Sequence, residues 1–262
     1  MSTARSIPRI VHQTWRTKAL PPEFARFRAS WIARHPQWEH RLYDDAECRA
    51  VVQSVGGAWP DVYARLPTDI QRADVFRYLI IHRHGGVYAD IDMECYRAID
   101  GLLEGAEAVF AIEAHLTERR RRRLGYREPR QLANCVFAAA PGNGVLGELL
   151  GHIGRLGPSD VRADGDVEDS TGPRMLTRLF ESLPSADRAR VRLLPQVLLL
   201  PPTLPRALEH WVAPYARHHF AGTWKRDPPP ARSLWQRWIE RDVVPPLRPS
   251  LRFDTPDVAH PR

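Results

Sequence analysis

Residues 73–92, ADVFRYLIIHRHGGVYADID, decide the fold around which the rest of this chain is arranged. The helix that contains the first half of this stretch begins at Thr68, because Thr68 and Gln71 have the spacing of a capping box. The double glycine fits the end of this helix, where a left-handed backbone conformation is needed. A short strand is predicted over residues 87–92, and it ends in an Asp-x-Asp motif. The stretch therefore predicts a helix–turn–strand unit that brings two acids to the end of a strand.

The two acids, Asp90 and Asp92, can share a divalent cation, and hard oxygen ligands suit Mg2+ or Mn2+. Asp74 and Arg77 are three residues apart on the preceding helix, so they lie on one side of it. That side also carries an apolar stripe expected to face the core: Ile70, Ala73, Ile80 and Ile81. A buried carboxylate and guanidinium must find partners, because unpaired buried charge is costly. The simpler alternative is an internal ion pair beside a surface turn.

The composition indicates a folded protein without a membrane span. Hydrophobic residues make up 43% of the 262 residues, which provides for a sizeable core. No apolar run approaches the roughly 20 residues that cross a bilayer, and no secretory signal is recognisable, so the expected location is the cytoplasm. Cys48, Cys95 and Cys135 have no metal-type spacing and are interpreted as reduced structural thiols.

The charge balance is basic, with a formal net charge of +7 and a pI near 9.8. A basic surface favours anionic partners such as nucleoside diphosphates, acidic glycans or the anionic face of a membrane. No motif for binding RNA or DNA is present, so nucleic acid is not an expected partner. The arginine run at residues 119–123 has two interpretations. It is either a solvated, mobile loop or a flap that meets phosphate or an acidic acceptor.

Strands and helices are predicted to alternate, which indicates an α/β sandwich with a largely parallel sheet. Strands are predicted at residues 7–15, 41–43, 87–92, 108–113, 135–140 and 191–200. Helices are predicted around residues 24–32, from residue 44, from 68 to the double glycine, at 143–156 and at 173–183. In such sheets ligands bind beyond the carboxyl ends of the strands, where this order places Trp15 and Asp90. One domain is expected over residues 1–262, with its core at 5–226 and a C-terminal helix and extended tail at 227–262.

Four sequence blocks resemble the Asp-x-Asp sugar-binding glycosyltransferases of family 32. They are IPRIVHQTW at 7–15, the stretch at 73–92, NCVFAAAPGNG at 134–144 and HHFAGTW at 218–224, and STGP at 170–173 is a weaker fifth. That family includes initiating mannosyltransferases of fungal outer chains, bacterial capsule transferases and, more distantly, the glucosylating toxins. The resemblance implies a GT-A-like nucleotide-sugar-binding fold and a role in polysaccharide biosynthesis. It also implies metal-dependent transfer of a hexose, with retention, from a UDP- or GDP-sugar to a glycan or lipid-linked acceptor.

The resemblance assigns five residues to the nucleotide sugar. Trp15 would stack on the base, although it could be an ordinary core tryptophan. Asp74 and Arg77 would hold the sugar and the diphosphate as part of the catalytic set. Tyr88 would contact the nucleotide or the sugar, with half-buried packing as its alternative. Asn134 would hydrogen-bond the transferred sugar, and its alternative is an amide that caps a turn.

The resemblance assigns the metal to Asp90, Asp92 and His219, with Asp92 as the more direct ligand. His218 is adjacent, so the sequence leaves open which imidazole is used, and either ring could instead serve packing. Trp224 would close over the leaving group. The neighbouring residue at position 223 is threonine, where the family often has serine, so the hydroxyl is retained.

Two other functions fit the motif. A metal-dependent phosphotransferase commonly has a nucleophilic aspartate at the end of its first strand, but here that strand ends HQTW at residues 12–15. A non-catalytic protein that binds nucleotide sugars or glycans is the other alternative.

The C-terminal segment at 234–241 mixes tryptophan and arginine at helical spacing, so it either lies on an anionic inner membrane face or packs on the domain or a second subunit. The sequence does not specify the sugar, the base, the acceptor or the oligomeric state.

Overall fold

The computed structural model describes residues 6–157, 159–161, 167–201 and 213–222. Trp224 and the C-terminal helix and tail predicted at 227–262 lie outside these residues. The strands are β1 (Ile10–Thr14), β2 (Glu39–Tyr43), β3 (Gly86–Ala89), β4 (Met93–Cys95), β5 (Ala108–His115), β6 (Arg130–Ala139), β7 (Val191–Leu194) and β8 (Ala216–His218). The longer helices are α1 (Pro22–Arg34), α2 (Asp45–Val55), α4 (Asp69–His84), α7 (Gly144–Gly154) and α9 (Pro173–Ser182). The shorter helices are α3 (Trp59–Ala64), α5 (Asp100–Leu103), α6 (Glu118–Leu124), α8 (Val167–Ser170), α10 (Ser185–Ala189) and α11 (Gln196–Leu199).

Six strands form one mixed sheet in the order β2-β1-β3-β6-β5-β7. Neighbouring strands are parallel in the pairs β1–β2, β1–β3 and β5–β7. Strand β6 lies antiparallel between β3 and β5, so it is the one strand of this sheet that runs against the others. Strands β4 and β8 form a separate antiparallel pair. The observed architecture confirms the predicted α/β sandwich with a mostly parallel central sheet.

The parallel strands end at a common edge of the sheet, which we call the carboxyl edge. Val11 pairs with Val87, so β1 and β3 finish side by side. The hydroxyls of Thr14 and Tyr88, which lie near the two ends, are 3.1 Å apart. The Asp90 N–H donates to the Cys135 carbonyl at 2.8 Å, which extends the pairing of β3 with β6 one residue beyond β3. The Asp-x-Asp motif therefore begins at the carboxyl edge.

Helix α4 has the ends that its sequence predicts. Thr68 and Gln71 form the complete capping box, and Gly85 ends the helix with a φ of +67°. Gly86 follows with a φ of +102°, and a Cβ atom added there would lie 2.6 Å from the Ile10 carbonyl oxygen. The second glycine is therefore needed for close packing of β3 against β1. The helix is more enclosed than an amphipathic stripe implies, because every residue at 74–81 is buried.

The sheet separates two hydrophobic clusters, and side chains along β3 alternate between them as strand geometry requires. Tyr88 packs on the face covered by α2, α4, α7 and α9, together with Phe110 and Phe137. Val87 and Ala89 pack on the opposite face, which is covered in part by Trp31 of α1. Among the described helices, none is both long and apolar enough to cross a membrane.

Two sequence predictions were wrong about local structure. The strand predicted at 191–200 stops at Leu194, and Pro195 begins the short helix α11. Proline has no N–H to donate to a sheet, so the strand cannot continue through it. The arginine run at 119–123, predicted to be a mobile loop or a flap, forms helix α6 with Thr117 as its N-cap and Gly125 in the left-handed conformation at its end.

Candidate functional site

Two carboxylates and one imidazole meet at the carboxyl edge. Asp90 follows β3 directly, and Asp92 precedes β4. The Asp92 Oδ1 lies 3.0 Å from the Nε2 of His218, and its Oδ2 accepts a hydrogen bond from the Ala221 N–H at 2.9 Å. One potential ligand atom from each of Asp90, Asp92 and His218 lies within 4.8 Å of those from the other two. These three side chains form the candidate metal centre.

The structure brings His218, rather than the expected His219, to the acid pair. His218 pairs with Met93 across the two-stranded sheet of β4 and β8. The His219 ring lies elsewhere, with its Nε2 2.9 Å from Glu94 and its plane stacked on Phe27 at a centroid distance of 4.1 Å. Successive side chains of an extended segment point to opposite sides, so one ring of the pair faces Asp92 and the other cannot.

The ligand set fits a divalent cation. Two carboxylates and an imidazole suit Mn2+, and a bound cation of this kind would act as a Lewis acid toward phosphate oxygens. Burial raises the pKa of Asp92, but the hydrogen bonds from His218 and the Ala221 N–H outweigh it and hold that pKa below its ordinary value. Burial disfavours the imidazolium of His218, yet the contacts with Cys135 and Asp92 raise its pKa well above the usual range. A cation bound by this imidazole would therefore have to displace its proton. Asp92 is therefore a carboxylate at neutral pH.

A buried guanidinium supports the acid pair from behind. The Arg77 Nη2 lies 3.3 Å from the Oδ1 of Asp74 and 3.3 Å from the Oδ1 of Asp90. Its Nη1 donates to the Asn134 carbonyl at 2.8 Å, and its Cζ lies 4.7 Å above the Tyr88 ring. The side chain of Arg77 is 3% exposed, whereas that of Asp90 is 24% exposed. Asp90 is thus the accessible member of this group, and Arg77 fixes its position.

Asp74 is the centre of a second set of hydrogen bonds. Its Oδ1 accepts from the Asn134 amide at 2.9 Å, and its Oδ2 accepts from the Thr171 hydroxyl at 2.9 Å. The Tyr78 hydroxyl donates to the Thr171 carbonyl and also lies within hydrogen-bond distance of the Asn134 amide. Burial raises the pKa of Asp74 to about 6, against the opposing effects of Arg77, Thr171 and Asn134. The contact with the nucleotide sugar that the resemblance implies for Asp74 and Arg77 stays a prediction, because both side chains are enclosed and bonded to other protein groups.

The structure does not place Tyr88 and Asn134 as their simpler alternatives, half-buried packing and capping of a turn, predicted. Tyr88 is fully buried rather than half-buried, and its hydroxyl donates to the Oδ1 of Asp90 at 3.0 Å. Its ring is covered by Arg77, so its connection to a ligand would be through Asp90. Asn134 lies within β6 and not in a turn, so the turn-capping interpretation is wrong. Its amide faces Asp74, and its contact with a sugar stays a prediction.

Comparisons with known proteins find sequence similarity to glycosyltransferases. Residues 21–109, which include the acid pair, match the family model described as a glycosyltransferase sugar-binding region containing the DXD motif. Inositol phosphoceramide mannosyltransferase 3 of Schizosaccharomyces pombe is 30% identical over 185 residues, 70% of this chain and 48% of that protein. The initiation-specific alpha-1,6-mannosyltransferase of the same yeast is 27% identical over 261 residues, 84% of this chain and 64% of that protein.

The chain is therefore similar to the glycosyltransferases of family 32, and the similarity includes the segment with the DXD motif. The mixed sheet with its acid pair directly after β3 is the GT-A-like sandwich that the family resemblance implies. The matches span about half to two thirds of the length of the two yeast relatives. Among solved structures, the PaToxG glycosyltransferase is similar with a TM-score of 0.46 and 15% identity, over 67% of this chain and 69% of that chain.

The tryptophan assigned to the nucleotide base lies on the same side of the fold as the acid pair. Trp15 directly follows β1 and packs partly buried against the small cluster of Phe24, Phe27 and Ile91. Its indole meets the Phe24 ring edge-on at a centroid distance of 4.9 Å. Ile91 is the middle residue of the DXD motif, so Trp15 and the motif share this cluster. Stacking of Trp15 on a base stays a prediction for this family 32-like site.

Sequence reasoning missed two members of the site, Thr171 and Tyr78. Thr171 belongs to the STGP block at 170–173, which marks the segment without indicating a partner. Tyr78 is four residues after Asp74, so its position on the same side of α4 was readable from helical spacing. The bond from Thr171 to Asp74 joins residues 97 apart in the chain and could not be read in this way.

A separate concavity of about 650 Å³ opens between α2, α3, α4 and α7. It is lined by Trp59, Leu79, His82, Gly147 and Leu150, among others, and none of its lining residues is an aspartate or glutamate. His82 and Arg83 belong to the last turn of α4, at the opposite edge of the sheet from the acid pair. This concavity lacks carboxylate ligands, so it is not the candidate metal centre of the family 32-like chain.

Proposed function

We propose that the chain is a metal-dependent glycosyltransferase that moves a hexose from a nucleoside-diphosphate sugar to a glycan or lipid-linked acceptor. The observation that carries the proposal is the convergence of Asp90, Asp92 and His218 at the carboxyl edge. The two similar yeast proteins are named as mannosyltransferases, which favours mannose as the hexose. Biosynthesis of a glycan or glycolipid is the corresponding role. The proposed location is the cytoplasmic side of a membrane.

The chemistry requires charge on the departing diphosphate to be stabilised. Asp90, Asp92 and His218 would hold Mn2+ or Mg2+, which supplies Lewis-acid stabilisation of that charge when bound. Arg77 keeps the Asp90 carboxylate in position through a contact of 3.3 Å, and the Tyr88 hydroxyl donates to the same oxygen. Both contacts hold the same Asp90 oxygen in a fixed position, which is the kind of preorganisation that favours stabilisation of charge.

The proposed stereochemical outcome is retention through attack on the same face of the sugar, assisted by the departing phosphate. A covalent glycosyl-enzyme would need an accessible carboxylate beside the anomeric carbon. Asp74 does not meet this need, because its side chain is 3% exposed and is bonded to Asn134 and Thr171. Its burial instead supports a structural role behind Asp90.

The phosphotransferase alternative is disfavoured by the end of β1. The last residue of that strand is Thr14, whose hydroxyl contacts the Tyr88 hydroxyl, and no carboxylate follows in the next two residues. A nucleophilic aspartate of the kind such enzymes use is therefore missing from this position.

The test is release of sugar from nucleotide donors with and without Mn2+. We expect activity to be lost with a chelator and restored by Mn2+. Asp92→Asn should lower activity on the order of 100-fold or more, because an amide is a weaker metal ligand than a carboxylate. Asp187→Asn, in α10 at the opposite edge of the sheet, is the matched control and should keep full activity. The site would be refuted if Asp92→Asn kept undiminished, metal-independent turnover. The non-catalytic alternative would be favoured if the unmodified chain bound the nucleotide sugar tightly without turnover.

A further inference from the structure

Helix α6 has the most concentrated positive charge in the described part of the chain. The segment at 118–130 has seven arginines and two glutamates, a net charge of +5. Arg119, Arg122 and Arg123 are exposed, and Arg120 is half-buried. No described residue forms an ion pair with Arg119, Arg120 or Arg123, and Arg122 has only a 3.5 Å contact with Glu118. Most of this charge is therefore available to a partner.

The arginines of α6 divide into an outward face and one inward anchor. At 100° per residue, Arg119, Arg120, Arg122 and Arg123 cover about 160° of the helix surface. Arg121 points the other way, where it donates to the Tyr126 carbonyl at 2.6 Å and pairs with Glu118. The loop after the helix is held by Glu181, whose carboxylate accepts the N–H groups of residues 127 and 128. The outward face is thus presented by an anchored segment.

The outward face lies at the carboxyl edge, on the same side as the acid pair. Strand β5 ends at His115, three residues before α6, and it runs parallel to β1 and β3. Strand β6 begins at Arg130 just after the helix and passes Asn134 of the site four residues later. Four residues of strand span about 13 Å. The basic helix therefore borders the region where an acceptor would approach the site.

The shape of this face fits a planar anionic surface better than a single acidic group. A site for one glycan or one phosphate is concave and has polar groups that converge on it. The outward arginines of α6 instead diverge around the convex surface of a helix with a diameter of about 10 Å. Residues 119–123 contain no aromatic side chain. Each guanidinium can bind a separate phosphate oxygen pair, as a lipid headgroup layer would provide.

We propose that the outward face of α6 binds the anionic headgroup surface of a membrane and holds the carboxyl edge against it. This contact does not require turnover, and it would present a lipid-linked acceptor to the proposed active site. A nearby anionic bilayer attracts each arginine, and several arginines acting together give a stable but salt-sensitive contact.

The experiment compares two triple variants of the full chain in vesicle co-sedimentation. Arg119, Arg120 and Arg123 are replaced by glutamine in the first variant, because glutamine keeps length and helix propensity. The control replaces three exposed arginines distant from α6, namely Arg49, Arg83 and Arg190, and so removes the same net charge. The vesicles are phosphatidylcholine alone, or the same lipid with about one third phosphatidylserine.

We expect the unmodified chain to bind only the anionic vesicles. The α6 variant should bind about 100-fold more weakly, and the control should stay within about threefold of the unmodified chain. Equal weakening in both variants, or no binding by the unmodified chain, would overturn the proposal. Binding to soluble dextran sulfate but not to anionic vesicles would also overturn it and indicate an acidic glycan partner.

A second readout separates this proposal from the proposed function. Release of sugar from the donor in the absence of acceptor and lipid would use the candidate metal centre and would not involve α6. Its absence in the unmodified chain would refute the transferase assignment, while vesicle binding would still decide the membrane contact. The C-terminal segment is the same in all variants, so a difference between them reports on α6.

Discussion

The hydrogen bond from Thr171 to Asp74 provides a specific test of the buried network. The Thr171 hydroxyl donates to the Oδ2 of Asp74 at 2.9 Å, and Thr171 is fully buried. The Thr171 carbonyl accepts a separate bond from the Tyr78 hydroxyl. Thr171→Val removes the first bond and leaves the second, because the second uses the backbone. The substitution keeps the side-chain shape, so the lost interaction with the Asp74 carboxylate should dominate the result.

The structure determines the direction and size of the effect. A hydrogen bond to an ionised group contributes about 1.5–3 kcal/mol, which corresponds to a rise of about one to two units in the pKa of Asp74. That pKa is already about 6 in the folded protein, above the value of a free aspartate. The folded state therefore binds the proton more tightly, and stability falls as the pH rises from about 4 to about 6. In Thr171→Val this fall should continue to about pH 7–8.

The assay is urea unfolding, followed by tryptophan fluorescence, at about pH 5 and about pH 8.5. The stability deficit of Thr171→Val should be about 1.5–3 kcal/mol larger at the higher pH, where the carboxylate must ionise without its donor. Thr177→Val is the matched control, because Thr177 is also buried but its hydroxyl bonds to the backbone of Pro173 and Leu132 and to the side chain of Tyr126 instead of to Asp74. Thr171→Ser should restore the original pH dependence. The same deficit at both pH values, or a pH-dependent deficit in Thr177→Val, would refute the reasoning.

Two further predictions follow from the site and from the glycine turn. His218→Gln should raise the Mn2+ concentration that is needed for thermal stabilisation by about 10- to 100-fold. His219→Gln should leave that concentration nearly unchanged, and the reverse order would contradict the placement of the two rings. Gly86→Ala should lower the free energy of unfolding by about 3 kcal/mol, because it combines a φ of +102° with a Cβ contact of 2.6 Å to backbone. Gly101→Ala, at a position with open space, is its control, and equal melting temperatures for the two variants would disprove the steric argument.

The accessible part of the site was readable from local sequence, and the supporting part was not. Asp90 and Asp92 follow a short strand, which places them at a sheet edge without knowledge of the rest of the chain. The choice of His218 over His219 depends on how β8 pairs with β4. Strand β8 lies more than 120 residues after the acids in the sequence. The role of Thr171 likewise depends on packing of the α8–α9 junction against α4.

The sequence by itself determined the α4–β3 unit, because the signals for it are local. Its capping box, its two glycines and its terminal acids act within a few residues, so neighbours along the chain are enough to specify them. Only the tertiary structure decided that β6 runs against the rest of the sheet, that Tyr88 and Arg77 are enclosed behind Asp90, and that the arginine helix lies at the same edge as Asp90. These features arise from the pairing and packing of distant segments, and a linear pattern does not contain the distances between them.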